Sequence, residues 1–442
     1  MRIPTGAVPS APSDADRGAG IRKMREADPR RRFLLDLLAR GLAAVDGRAR
    51  MRAALAASPA NPGTWILAVG KAAPAMTLGA LDALPGWRGR ALVISRSGHF
   101  GPALEGRPGV TCLAAGHPVP DERSLAAGAA SLEFAAAVPR GARVLLLVSG
   151  GASSLLEVPA PGVTLEDLRR LNAWALASGR AIGEVNALRR RLSAVKGGRL
   201  LAHFAQADVA GYAISDVPGD DPAVIGSGLL AAAPAEALPG DLPAWLRDLL
   251  GRAGGPAGTA AACRVTLVGR LDDALDAIAR AAGEAGVRVL RATERLAGDA
   301  TAAAAAAVEA LCRDGERLYL AGGETTVRLP PDPGHGGRNQ HLALEAALRI
   351  DGDEELLLLA AGTDGTDGNT DDAGALVDGA TVARAASLGF DVADCIVRAD
   401  SGRVLDATGD LVHTGPTGTN VGDLLLALRC APGHRPGAGR NM

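Results

Sequence analysis

The chain has 442 residues and carries 47 Lys and Arg against 49 Asp and Glu, so it offers no overall basic field to attract a nucleic-acid backbone. Only 2% of the residues are aromatic, which disfavours base stacking, whereas 48% are hydrophobic, enough to fill the cores of about two or three domains. Five Cys residues form no C-x-x-C pair, and no apolar run reaches the ~18 residues of a membrane helix. We therefore predict a cytoplasmic protein with free thiols and with neither a nucleic-acid nor a membrane partner.

The N-terminal half has the pattern of an α/β domain. Residues 1–30 are rich in Pro, Asp and Arg and lack the apolar core of a signal peptide, which predicts a disordered leader. Residues 31–57 have the spacing of an apolar helix face. Apolar runs of strand length then alternate with Ala-rich helical stretches, which indicates a parallel sheet covered on both faces. These runs span residues 64–70, 90–95, 109–116, 143–151 and 208–216.

A second domain is predicted after a Pro/Gly/Ala-rich stretch at 231–262, which is the best linker candidate. Further strand-length runs and an Ala-rich helix follow, at 263–269, 287–293, 297–313, 317–324 and 355–365. The predicted fold is α/β, with two α/β domains, a Rossmann-like, mostly parallel sheet in the first, and an active-site cleft between the domains. The predicted boundaries are 31–245 for the first domain, 246–262 for the linker, 263–432 for the second domain and 433–442 for a disordered tail.

Polar side chains follow six of the predicted strands directly, each beside Gly or Pro. In open α/β sheets, ligands bind at the carboxyl ends of strands, where backbone amides point outward. Six such ends are hard to explain as turns alone, so we expect them to serve one ligand site. The six residues are Lys71, His117, Ser149, Asp216, Glu324 and Asp364.

Lysine is rare in this chain, and two of its three Lys residues lie beside glycines. Lys71 and Lys196 are therefore candidates for contacts with anionic oxygens; the alternative is chance survival on a solvated surface. Lys196 lies within a basic stretch that begins at Arg189 and ends at Arg199. This stretch is either a solvated helix face or a basic rim for an anionic substrate such as ATP.

Two glycine-rich segments have the composition of ligand loops. Ser149, Gly150, Gly151 and Ser153 follow an apolar strand and form either an anion-binding nest or an ordinary turn with a Ser cap. Asp216 begins a turn with several carboxylates, which are either Mg²⁺ ligands or ordinary turn residues.

The second domain repeats this pattern. Gly322 and Gly323 precede Glu324 at a strand end, and Arg338 with Asn339 opens a predicted helix. A guanidinium at a helix N-terminus needs a compensating anion, and we predict phosphate. The segment that starts with Thr363 and Asp364 is dense in oxygen ligands but lacks the EF-hand spacing, which favours a divalent-cation or polar-substrate site.

Several signatures are absent from the sequence. There is no G-x-x-x-x-G-K-[ST] motif, which excludes a P-loop nucleotide site, and the protein-kinase motifs are missing. No G-x-G-x-x-G follows a strand, which disfavours a dinucleotide enzyme.

Taken together, the motifs resemble those of glycerate 2-kinases, whose C-terminal part is known as the "multi-organism fragment with rich leucine" domain. The resemblance runs in order from about residue 33 to about residue 430. The matching segments are AVGKAAPAM, GHPVPDERSLAAG, VSGGASSLL, NALRRRLSAVKGGR, ISDVPGDDPAVIGSG, GGETTVRL, GGRNQHLALEAAL, AGTDGTDGNTDDAGALVD and TGPTGTNVGDLLLAL.

The resemblance implies ATP and Mg²⁺ as cofactors, D-glycerate as substrate, and 2-phosphoglycerate as the usual product. The family's essential Lys and Arg would correspond to Lys71 and Arg338. Asp216, Glu324 or Asp364 would hold the metal or its waters, and one of them would accept the hydroxyl proton. The alternatives are a glycerate 3-kinase, an NAD(P)H-dependent hydroxypyruvate reductase and a non-catalytic metabolite-binding protein. The oligomeric state stays open, with a homodimer as one option.

Overall fold

The computed structural model describes residues 28–57, 61–178, 180, 182–232, 238, 240–253, 261, 263–311, 317–432, 434 and 436. These residues divide into two compact units. The first, here called the parallel-sheet unit, comprises Ala44–Asp273 and Gly418–Val421. The second, here called the mixed-sheet unit, comprises the described parts of Met1–Ala43, Ala274–Thr417 and Gly422–Met442.

The parallel-sheet unit is built on a six-stranded sheet with the order β3-β2-β1-β4-β5-β6, in which every neighbouring pair is parallel. This order and direction are those of a doubly wound nucleotide-binding sheet, so the prediction of a Rossmann-like N-terminal fold is confirmed. The strands are β1 (Trp65–Val69), β2 (Ala91–Ser95), β3 (Val110–Ala114), β4 (Arg143–Val148), β5 (Asp208–Ile214) and β6 (Arg264–Gly269).

The central strands of this sheet are apolar along their whole length because helices cover both faces. In β4, the five residues from Val144 to Val148 are all fully buried. The helices of this unit are α2 (Gly47–Ala57), α3 (Ala73–Asp82), α4 (Glu122–Ala137), α5 (Ala152–Leu155), α6 (Leu165–Ser178), α7 (Ile182–Arg191), α8 (Arg199–Ala202) and α9 (Ala244–Arg252).

Helices α6, α7 and α9 enclose a second apolar cluster in the parallel-sheet unit. Leu171, Leu188 and Leu246 lie at its centre, one from each helix. The predicted linker at 246–262 is therefore wrong over its first part, because residues up to 253 belong to this cluster. Most of the rest of that stretch, residues 254–260 and 262, lies outside the described residues.

The mixed-sheet unit contains a six-stranded sheet with the order β11-β10-β9-β12-β8-β7. Only β7 and β8 pair in parallel; the other neighbouring pairs are antiparallel. The strands are β7 (Arg288–Arg291), β8 (Arg317–Gly323), β9 (Leu356–Gly362), β10 (Gly374–Asp378), β11 (Leu411–Val412) and β12 (Asp423–Arg429).

Small and branched side chains fill the core of the mixed-sheet unit, which suits a chain with few aromatic residues. The predicted Ala-rich helix is present and buries Ala300, Ala304 and Ala307 on one face. The helices of this unit are α1 (Pro29–Ala44), α10 (Leu271–Glu284), which begins in the parallel-sheet unit, α11 (Ala300–Leu311), α12 (Arg338–Arg349), α13 (Thr381–Ser387), α14 (Val392–Val397) and α15 (Ser401–Thr408).

The predicted domain boundaries need two further corrections. Strand β6, predicted in the second domain, pairs with β5 and completes the first sheet. The predicted helix over 31–57 is two helices, and the first of them belongs to the mixed-sheet unit, where Arg31 pairs with Asp410. Residues 1–27 of the predicted leader and most of the predicted tail lie outside the described residues.

Within the described ranges, no helix is both long enough and apolar enough to cross a membrane.

Candidate active site

The carboxyl edge of the parallel sheet gathers four of the six strand-end residues that the sequence singled out. Lys71, His117 and Asp216 follow β1, β3 and β5, and Ser149 follows β4 directly. Parallel strands all end at the same edge of a sheet, so these residues share one edge.

Two hydrogen bonds from backbone amides connect the loop after β1 to the loop after β4. The Lys71 amide donates to the Gly150 carbonyl over 2.9 Å, and the Ala72 amide donates to Ser149 Oγ over 3.0 Å. Ser149 is fully buried, so its hydroxyl positions the Lys71 loop instead of facing solvent. The Lys71 carbonyl lies 3.2 Å from His99 Nδ1, a contact that the sequence analysis did not predict.

Gly150 is required by the side chains that face it. A Cβ at this position would lie 1.8 Å from Asn420 Nδ2 and 2.1 Å from Asp216 Oδ2, which no packed atom tolerates. Asn420 Nδ2 itself donates to Asp216 Oδ2 over 3.3 Å. Asn420 therefore belongs to this edge of the sheet, and the sequence analysis did not include it among the site residues.

Gly151 caps the short helix α5 in the left-handed conformation, with φ of 83°. A Cβ there would lie 3.0 Å from the His117 ring and 3.3 Å from Lys71 Cγ. The predicted nest thus lies directly beside the Lys71 side chain.

Ser153 and Arg189, both predicted to bind ligand, are joined by a chain of polar contacts. Ser153 Oγ lies 2.8 Å from Ser227 Oγ, which donates to Asn186 Oδ1 over 3.2 Å. Arg189 Nη1 donates to the same Asn186 oxygen over 3.4 Å, and Arg189 Nη2 donates to Asn172 Oδ1 over 2.7 Å. Burial lowers the pKa of Arg189, because its charge is poorly solvated and the carboxylate of Glu157 compensates only in part.

Lys196 has a different environment from the one predicted. Only 1% of it is exposed, and its Nζ pairs with Glu157, which also accepts from Ser193 Oγ over 2.6 Å. Burial lowers the pKa of Lys196 against the opposing charge of Glu157. Arg199 is also turned inward and donates to the Ser193 carbonyl over 2.7 Å. The basic stretch is thus largely a structural network, and the reason for assigning Lys196 to a phosphate no longer holds.

Arg338 in the mixed-sheet unit forms ion pairs with two carboxylates. Its Nε and Nη2 bond to the two oxygens of Asp423 over 2.6 and 3.1 Å, and its Nη1 pairs with Glu324 over 2.6 Å. The Asp423 side chain is 2% exposed, whereas that of Glu324 is 58% exposed. Burial is the largest single effect and disfavours the charged guanidinium, but the charge and hydrogen bonds of Asp423, together with the charges of Glu324 and Asp367, outweigh it and raise the pKa of Arg338.

The sheet topology explains why Asp423 reaches Arg338. Asp423 opens β12, which runs antiparallel between β8 and β9, and it pairs with Gly323 and Gly362 at the ends of those strands. The start of one strand and the ends of its two neighbours therefore share one edge. Gly322 and Gly323, predicted as binding residues, are the last two residues of β8.

The N-terminus of helix α12 is capped by a carboxylate of the protein. The buried Asp367 accepts from the backbone amides of Asn339 and Gln340 over 3.1 and 2.8 Å, and also from the Asn339 side chain. Burial raises the pKa of Asp367 to about 7, with the nearby charge of Asp423 adding to the effect. The anion predicted at this helix start was phosphate; in the structure the carboxylates of Asp423 and Glu324 pair with Arg338, and Asp367 caps the helix.

Thr363 and Asp364 bond to their own loop and to residues 417 and 422 of the same unit. Thr363 is fully buried, and its hydroxyl donates to the Gly422 carbonyl over 2.6 Å. Asp364 Oδ1 accepts from the Thr366 amide over 3.0 Å. Among the residues that the structure describes, no group of three or more His, Cys, Asp or Glu side chains is arranged to hold a metal ion.

Two family models match the chain. Residues 33–238 match a domain of unknown function, DUF4147, and residues 317–423 match the MOFRL family.

Curated relatives cover most of the chain. A D-glycerate 2-kinase of Thermotoga maritima is 36% identical over 381 residues, covering 82% of this chain and 90% of that protein. A putative hydroxypyruvate reductase of Agrobacterium vitis is 37% identical over 387 residues, with coverage of 82% and 98%. A crystal structure of glycerate kinase from Thermotoga maritima superposes with a TM-score of 0.73 at 32% identity, covering 90% of this chain and 98% of that one.

Proposed function

The chain belongs to the glycerate kinase family, and from that membership we propose that it transfers the γ-phosphoryl group of ATP to the 2-hydroxyl of D-glycerate. The products are 2-phosphoglycerate and ADP. The observation that carries the proposal is the group of Lys71, the Ser149–Gly151 loop and Asp216 at the carboxyl edge of the parallel sheet.

Phosphoryl transfer depends mostly on positioning and on neutralising charge. The glycerate C2 oxygen attacks the γ-phosphorus, the bond to the β,γ-bridging oxygen breaks, and ADP leaves. Lys71 neutralises oxygens of the transferring group, and its loop is fixed to the β4 loop by the two hydrogen bonds described above. The amides of Gly150 and Gly151 bind phosphate oxygens, and Asp216 either accepts the hydroxyl proton or holds the metal ion considered below.

Arg338 is the proposed second cation of the reaction. Its guanidinium is oriented by the buried Asp423 and paired with the exposed Glu324. An incoming phosphoryl oxygen can displace the exposed Glu324 while Asp423 keeps the guanidinium in place. Whether the two units share one active site, as the sequence predicts, stays a prediction.

Magnesium fits the available ligands as a metal held largely by its substrate. Mg²⁺ commonly binds one or two carboxylates together with substrate phosphates and waters, so no three-carboxylate cluster is needed. Asp216 is the proposed protein ligand, since Glu324 pairs with Arg338 and Asp364 accepts within its own loop. When bound, the ion neutralises phosphate charge.

A hydroxypyruvate reductase is the second candidate, because relatives at 37% and 38% identity bear that putative name. Against it, the turn after β1 reads Gly70-Lys71-Ala72 and lacks the glycine fingerprint of dinucleotide sites. Oxidation of NADH or NADPH by hydroxypyruvate without ATP would establish this function instead.

The test is ATP-dependent phosphorylation of D-glycerate, with the product position determined by phosphorus NMR; a 3-phosphate would establish the 3-kinase alternative. Lys71→Ala and Arg338→Ala should each lower kcat by about 10²–10³-fold, the usual cost of one lost transition-state contact. Near-normal turnover in both variants would contradict the assignment of these cations.

A further inference from the structure

Arg189 is a half-buried cation whose hydrogen-bond partners are both neutral. It donates to the side-chain oxygens of Asn172 and Asn186, and no carboxylate of the described residues pairs with it. Arg338, by contrast, has two carboxylate partners. A poorly solvated cation with amide partners only is costly unless an anion compensates it.

Glu157 is the carboxylate whose charge acts most on Arg189, but both of its oxygens already have other partners. One of its oxygens pairs with Lys196, and the other accepts from Ser193 Oγ and from the Val158 amide. Arg189 lies close enough to depress the pKa of Lys196 further, after burial itself. Two cations therefore share one buried carboxylate, which leaves the region with an excess of positive charge.

Arg189 is also linked to the loop at the carboxyl edge of the sheet. The contacts run from Arg189 through Asn186 and Ser227 to Ser153, in the helix that follows Gly151. A guanidinium has five N–H groups, and the hydrogen bonds to Asn172 and Asn186 use two of them. The remaining N–H groups are enough for both oxygens of a planar carboxylate.

We propose that Arg189, oriented by Asn172 and Asn186, binds the carboxylate of the hydroxy-acid substrate. This inference rests on the proposed function, because it assumes that the substrate is a 2-hydroxy acid such as D-glycerate. Arg189 is then the residue that distinguishes the acid from uncharged polyols and amides. The phosphates of ATP carry the same kind of oxyanion, so the experiment must separate the two sources.

The decisive variant is Arg189→Gln, which removes the charge and keeps polar atoms. We expect kcat/KM for D-glycerate to fall about 100-fold, as for a lost charge-assisted hydrogen-bond pair, with KM for ATP unchanged at saturating D-glycerate. With glyceramide, which lacks the negative charge, the variant and the wild type should have equal kcat/KM.

Arg189→Lys keeps the charge without the planar fork, so its kcat/KM for D-glycerate should lie between those of the wild type and Arg189→Gln. It also replaces Arg189→Gln as the test if that variant does not fold. Arg191→Gln, on the exposed side of the same helix, is the matched control and should match the wild type.

Three outcomes separate the alternatives. A rise in KM for ATP with no change for D-glycerate would assign Arg189 to a nucleotide phosphate and overturn the proposal. A lower thermal midpoint with unchanged kinetics would make Arg189 purely structural, which also overturns it. If the wild type phosphorylates no D-glycerate, the proposed function fails; calorimetry of D-glycerate binding to the wild type and Arg189→Gln then still decides the carboxylate contact.

Discussion

Arg338 and Asp423 illustrate how a buried carboxylate can fix the orientation of a cation. The two Asp423 oxygens meet Nε and Nη2 of the guanidinium, which is the bidentate geometry that restricts its rotation. Glu324 holds only one corner of the same guanidinium and is largely exposed. Asp423 is therefore a positioning residue, and its effect on catalysis should be felt through Arg338.

We expect Asp423→Asn to lower kcat about 10- to 100-fold with a smaller change in KM, because Arg338 stays present but loses its orientation. Steady-state kinetics and thermal melting measure this. Asp351→Asn, at an exposed site, is the control and should leave both unchanged. A loss of thermal stability with normal kcat would mean that Asp423 only supports the fold.

The sequence could identify residues that follow a strand, but not residues that precede one. Lys71 and Asp216 follow parallel strands, so their common edge could be predicted from the strand pattern alone. Asp423 and Asp367 could not be found this way, since one opens an antiparallel strand and the other lies in a loop that caps a helix. The prediction that Lys196 contacts a phosphate was wrong because its ion-pair partner, Glu157, lies 39 residues away and leaves no local sequence pattern.

At the scale of elements, the pair Glu157–Lys196 ties the loop before helix α6 to the segment that follows helix α7. Both side chains are almost completely buried, at 3% and 2% exposure. Removing one charge of such a pair leaves the other buried and uncompensated, which is far more costly than losing a surface pair.

We predict that Lys196→Met lowers the free energy of unfolding by about 3–5 kcal/mol. The double variant Glu157→Gln/Lys196→Met should recover part of that loss, because no uncompensated charge stays buried. Denaturant unfolding of both measures the difference. Glu184→Gln removes a surface partner of Arg180 and should cost less than about 1 kcal/mol. Equal losses in the single and double Lys196 variants would show that packing, not charge, explains the effect.

The positions of most strands could be predicted from the sequence, but the sheet to which each strand belongs could not. The apolar runs correctly predicted β1 to β9, because continuous burial leaves a continuous apolar run. The strand β6 was predicted in the wrong domain, since a Pro/Gly/Ala-rich stretch resembles a linker whether or not the chain returns to the same sheet. The three remaining strands, β10 to β12, were not predicted, so the antiparallel half of the second sheet was missed.

For the whole molecule, the family and the α/β fold were predicted correctly, because the ordered motifs span nearly the whole globular chain. The division of the chain into two units was not predicted correctly. Helix α1 lies in the mixed-sheet unit although it precedes the parallel sheet, and Gly418–Val421 lies in the parallel-sheet unit although it follows most of the other one. Local sequence carries no signal for such returns of the chain.

The segment Gly418–Val421, which returns to the parallel-sheet unit, leads to a prediction about function that can be tested. The Gly418 carbonyl accepts from the Gly47 amide over 3.2 Å, and Asn420 donates to Asp216, 204 residues earlier in the chain. If Asp216 accepts the substrate proton or holds Mg²⁺, its carboxylate must be oriented, and Asn420 is one donor that orients it. We therefore predict that Asn420→Ala lowers kcat about tenfold, the equivalent of one hydrogen bond to a charged group.

The same loss should be absent when Asp216 is already removed. In a double-mutant cycle, Asn420→Ala should have little further effect on kcat in an Asp216→Ala background, because the interaction it breaks no longer exists. Asn61→Ala, at an exposed position of the same unit, controls for the loss of an amide. If the two substitutions lower kcat independently, Asn420 acts on something other than Asp216, and the return of the chain serves the fold alone.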